Sequence, residues 1–72
     1  MILDPEETGK NIKRYREEAG LKVRELQEIL GFTSPVAIYK WQKGTTMPTA
    51  DNLVILASVF GVPIDDIVAR RA

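Results

Sequence analysis

Cysteine and histidine are both missing from the 72 residues. Without them the chain can form no disulfide, and the usual zinc, haem and nucleophile–base constellations cannot be assembled. No stretch of about 18 apolar residues is present, so no segment reads as a membrane span. The first residues do not run from a basic start into an apolar segment, as a secretory signal would. These absences fit a cytoplasmic protein. No pair of carboxylates is placed for acid–base work, so the chain reads neither as an enzyme nor as a holder of a cofactor or metal. An excess of one charge is also lacking: ten acidic and ten basic residues cancel. Aromatic residues are few, with one Trp, two Tyr and two Phe, so each is a candidate anchor.

What is present is an apolar fraction of 44%, enough for one small domain spanning 1–72 and too high for a disordered chain. That length lies near the lower limit for a core held without staples. The charge is unevenly spread. Between Glu28 and Asp51 there is no acidic residue, while Lys40 and Lys43 lie inside that interval. A neutral chain patterned in this way can carry one positive face.

Periodicity and capping predict five short helices and no strand. Asp4-Pro5-Glu6-Glu7 starts the first, with Asp4 as N-cap, Pro5 in the first turn and Glu7 placed to close a capping box. Thr8, Ile12, Tyr15 and Ala19 mark its buried side. The second runs over Lys22–Leu30 with Val23, Leu26, Ile29 and Leu30 inward. The third occupies 34–44, with Ser34 as its cap, Pro35 in the first turn and Gly44 as its stop. Thr49 caps the fourth over Ala50–Phe60, and the fifth covers about Ile64–Ala69. Gly-apolar pairs at 20–21, 31–32 and 61–62 each fit a left-handed stop followed by a packing residue. The third helix organises the rest. Ala37, Ile38 and Trp41 line one side as core, while Val36, Tyr39, Lys40 and Lys43 fall on the other.

The ordered set Gly9, Ile12, Arg16, Gly20-Leu21, Leu26, Gly31, Ile38-x-x-Trp41, Lys43-Gly44, Pro48, Leu53, Leu56-Ala57, Gly61-Val62 and Asp65-x-Ile67 resembles the lambda-repressor/Cro-like (XRE-type) helix-turn-helix domains. The likeness covers nearly the whole chain. It implies an all-α, five-helix compact bundle and a sequence-specific, double-stranded DNA-binding transcriptional regulator, a repressor rather than an activator. In such domains the second helix lies across the phosphate backbone and the third enters the major groove. By position, the groove residues would be Pro35, Val36, Tyr39 and Lys40, with Ser34 at their cap. Lys43, Thr45, Thr46, Lys22 and the N-terminus of the second helix would meet phosphates. Taken singly, Tyr39 either covers a neighbour or touches DNA, and Val36 either meets a thymine methyl or packs locally.

Three departures stand out. Val23 occupies the place where the family commonly has a glutamine. The turn before the third helix is one residue longer than usual. Gln42 replaces the familiar glutamate after the tryptophan, so its pairing with Arg16 would be a hydrogen bond, not an ion pair. Ile55 and Val59 form a second apolar stripe on the fourth helix, read either as a homodimer contact or as packing under Ile2 and Leu3. The competing function is a protein-binding adaptor or antitoxin-type regulator built on the same fold.

Overall fold

The computed structural model describes residues 2–72. Asp4, in an extended conformation, accepts from the Glu7 N–H at 3.1 Å and starts helix α1, Pro5–Glu18. Helices α2 (Val23–Leu30), α3 (Val36–Lys43), α4 (Ala50–Phe60) and α5 (Ile64–Ile67) follow. The Gly-apolar stops work as expected. The N–H of Leu21, Phe32 and Val62 donates to the carbonyl of Arg16, Gln27 and Ala57 respectively, and Thr45 does the same to Lys40 after Gly44. Each bond runs from the residue beyond the glycine to a carbonyl five positions back, satisfying acceptors that the helix end leaves open.

The core is Ile12 of α1, Leu26 of α2, Ile38 and Trp41 of α3, Leu56 of α4 and Ile67 of α5. Every helix therefore contributes. The Phe32 ring meets the Trp41 indole edge-on, with centroids 5.7 Å apart, so the residue after the α2 stop is also the lid over the α3 anchor. Tyr15 stacks on Phe60 at 5.8 Å and ties α1 to α4. None of the described helices is long and apolar enough to cross a membrane.

Helices α1 and α3 meet at a place where no side chain fits. A Cβ on Gly9 would collide with the Trp41 carbonyl oxygen and lie 2.9 Å from that of Gln42. A second close approach follows at the end of α3. A Cβ on Gly44 would lie 2.7 Å from the Glu6 Cα, and Gly44 also has φ +78°.

Several local expectations give way to tertiary bonds. Glu7 does not close a capping box, because the Asp4 N–H is already given to the Ala69 carbonyl at 2.9 Å. That bond belongs to a clasp the sequence pattern does not reveal. The Ala69 N–H donates to the buried Thr8 hydroxyl at 2.9 Å, and Asn11 Nδ2 donates to the Ile67 carbonyl at 3.0 Å. Drawn onto α1 in this way, the chain leaves helical geometry after Ile67 instead of at Ala69, and Val68 is extended. It continues as strand β2 (Arg70–Arg71), antiparallel to β1 (Ile2–Leu3), with Ile2 opposite Arg71 and Leu3 opposite Arg70. Strands of two residues are too short to show alternation.

Ser34 does not cap α3: its hydroxyl accepts from the Val36 N–H at 3.4 Å, and the Pro35 carbonyl takes the first helical bond, from Tyr39. Helix α3 thus begins at Val36. Thr49 stands at the N-cap of α4, but its hydroxyl donates to the Asp51 carboxylate instead of accepting a backbone amide. This bond, helped by the Asn52 backbone, lowers the pKa of Asp51. Ala19 and Ile29 are exposed, not inward, since α1 ends just before the first and the second lies on the flank of α2.

Two substitutions separate these constraints. Gly9→Ala should cost about 1–3 kcal/mol or more by overpacking, whereas Gly31→Ala, with φ +74° but open space around it, should cost only about 1–2 kcal/mol of backbone strain. Thr8→Val, leaving the Ala69 N–H without its acceptor, should cost about 1–3 kcal/mol. Urea denaturation monitored by circular dichroism measures all three.

Candidate nucleic-acid interface

The outward side of α3 is set by what its inward side must do. Ile38 is fully buried and Trp41 is 4% exposed. Positions three and four apart share a helix side, so Val36, Tyr39, Lys40 and Lys43 are carried together to the opposite surface. Val36 is 53% and Tyr39 48% exposed, and both lysines are exposed. No carboxylate lies within ion-pairing distance of either lysine among the described residues, whereas Lys10, Arg14, Arg24 and Arg70 each have one. Lys40 and Lys43 are therefore free to meet an external anion. Thr45 and Thr46, both exposed, follow directly after the α3 stop. Pro35, half-buried, and Ser34, exposed, form the bend that leads into the helix.

Lys22 is exposed and stands at the N-cap of α2. Its N–H is not open to a ligand, because the Glu25 carboxylate accepts it at 2.9 Å. The first-turn amides of Val23, Arg24 and Glu25 have no helical partner, the first helical bond being that of Leu26 to the Lys22 carbonyl. The α2 terminus thus offers fewer donors than its sequence position suggests, with a carboxylate beside them.

One residue that is not itself a candidate contact controls the geometry. Arg16, its side chain 11% exposed, donates from Nε to Gln42 Oε1 at 3.0 Å and from Nη1 to the Leu21 carbonyl at 2.7 Å. A single guanidinium thereby joins α1, the turn before α2, and α3. The pairing is a hydrogen bond to an amide, as the substitution of glutamine for the familiar glutamate requires. The nearest carboxylate, of Glu17, stands at 4.0 Å.

On α4 the apolar stripe divides. Val59 packs against the core and Ile55 is half-buried. The most exposed apolar side chain of that helix is Val54, at 58%.

Comparison with known proteins identifies the family and the fold. Residues 12–67 match the helix-turn-helix family model. Among solved structures, the chain is similar to the restriction-modification controller protein C.AhdI from Aeromonas hydrophila, with TM-score 0.77 and 17% identity over 89% of this chain and 96% of that one. It is also similar to the clp gene regulator ClgR from C. glutamicum, with TM-score 0.76 and 22% identity over 93% and 86% of the two chains. The S. venezulae BldD DNA-binding domain gives TM-score 0.75 and 21% identity over 92% and 97%. At these identities the likeness is one of fold. No curated protein matches the chain.

The Arg16–Gln42 bond makes a measurable claim. Gln42→Ala should destabilise the fold by about 1.5–3 kcal/mol, the range for a hydrogen bond to a charged group. A double-mutant cycle with Arg16→Ala should return a coupling of at least about 0.5 kcal/mol. Additive losses in denaturant titrations would refute the tie.

Proposed function

Because the chain belongs to the helix-turn-helix family, in its lambda-repressor-like (XRE-type) branch of DNA-binding transcription regulators, we propose that it reads a specific double-stranded operator with α3 in the major groove and acts as a repressor. The carrying observation is the outward face of α3: two unpaired lysines beside an exposed valine and tyrosine, fixed to a rigid core by Trp41 and Ile38. In this geometry Lys40 reaches guanine O6 and N7, the contact that lysine makes best in that groove. Lys43, Thr45 and Thr46 lie where the backbone passes the end of α3 and contact phosphates, which set register but carry no sequence information. Lys22 adds a charge at the N-terminus of α2, where the family lays its second helix across the backbone. Ser34 and Pro35 shape the entry to the groove.

A neutral chain has little long-range attraction for a polyanion, so its non-specific affinity is low and depends on a few local cations. Repression then follows from occupancy: a small domain seated on an operator excludes whatever else needs that groove.

Selection of bound duplexes from a random pool, followed by gel shifts at fixed salt, tests the reading. Lys40→Ala should weaken binding to the selected duplex by about 1–3 kcal/mol while leaving scrambled duplexes little changed. An equal loss on both would make Lys40 a phosphate contact. Absence of any shift at micromolar protein in low salt would overturn the DNA reading in favour of a protein-binding role for the same face.

A further inference from the structure

The face of α3 proposed to read DNA holds no amide and no guanidinium, the two groups that recognise adenine and guanine by paired hydrogen bonds. The one amide of the helix is Gln42, and its Oε1 is engaged by Arg16 Nε at 3.0 Å on the side turned to α1. The Ser34 hydroxyl accepts from the Val36 N–H at 3.4 Å and stands on the bend before the helix, with its own O–H left to donate. Hydrogen-bond readout from α3 itself is left to the Lys40 ammonium, a single point charge, and the Tyr39 hydroxyl. Beside them stands apolar surface that nothing in the chain covers: Val36 and Tyr39, one helical turn apart and each about half exposed.

An apolar side chain brought into the major groove loses its water and needs an apolar counterpart in return. The groove edge of the base pairs supplies one, the C5-methyl group of thymine. We infer that the operator of this chain places thymines opposite α3, and that their methyl groups, packed on Val36 and the Tyr39 ring, set its preference at those positions. This rests on α3 entering the major groove and goes beyond it in naming the chemical feature that is read. Lys40 fixes a neighbouring guanine, and the methyl contacts decide between thymine and every other base at the adjoining positions.

Uracil tests this directly, because it keeps each hydrogen-bonding group of thymine and lacks only the methyl. A duplex enriched from a random pool by the full chain is synthesised with thymine or with uracil across the enriched core, and a control carries uracil only in its flanks. Gel shifts at fixed salt should show the core-uracil duplex bound about four- to fifteenfold more weakly, the scale of one or two buried methyl groups, and the flank-uracil control unchanged. With Val36→Ala, an exposed substitution whose folding is checked by circular dichroism, the thymine–uracil difference should shrink by about half or more. An enriched duplex bound equally with either base overturns the inference alone. A pool in which no sequence is enriched overturns the groove reading and this inference with it.

Discussion

Everything in the fold that bears on recognition depends on how closely α1 and α3 approach each other. At Gly9 the two helices touch backbone to backbone, nearer than any side chain allows. A helix of eight residues is too short to be stable on its own propensity. It holds its shape because it is pinned along its length. The Gly9 crossing fixes its depth, Ile38 and Trp41 fix its rotation, and Arg16 fixes its far flank through Gln42. Gly44, seated against Glu6, fixes where it stops. Depth, rotation and end point are the quantities that decide which side chains a partner meets.

This pinning explains why the aromatic residues divide as they do. Trp41 and Phe32 are used up in an edge-on pair beneath α3, and Tyr15 and Phe60 stack between α1 and α4. Tyr39 is the remaining aromatic and stays half exposed. The few aromatics of the chain are thus allotted almost wholly to holding helices apart or together. An exposed ring on the outermost face of the best-anchored helix has no remaining packing task, which is the physical reason to assign it to a partner.

Much of this was legible in the residues. Glycine stops, the Asp4 cap and the three-to-four spacing of Ile38, Trp41 and their neighbours report local rules, and those rules hold wherever no distant group competes. The failures occur where one does. Asp4 gives its N–H to Ala69 and not to Glu7; the last helix is cut short at Ile67 because Thr8 and Asn11 hold the segment that follows. These bonds join residues some sixty positions apart, and no pattern within a window of a few turns reports them. The two-residue strands they align are invisible for the same reason. At the interface the sequence placed the outward face of α3 correctly but assigned Ser34 to a cap it does not form, since a bend of three residues leaves little to distinguish one hydroxyl position from the next. Glu25 was the less legible element. Its spacing from Lys22 is that of a capping residue, and its consequence, an amide closed to phosphate, emerges only from the bond it makes.

The charge balance, which first counts against a nucleic-acid partner, has a different meaning once the positions are known. Most of the acids are spent on helix starts and on i,i+3 or i,i+4 pairs along α1 and α2, while the α3 lysines face none. Zero net charge therefore describes the whole surface and not the face that matters. It also shifts the source of affinity. Counterion release scales with the number of phosphates neutralised, and a chain with so few free cations gains little from it. If α3 reads DNA as proposed, binding must come from contacts that require the right base in the right place. Such a domain would spend little time on the wrong sequence, and the exposed Val36 and Tyr39 would be the part whose fit decides whether it stays.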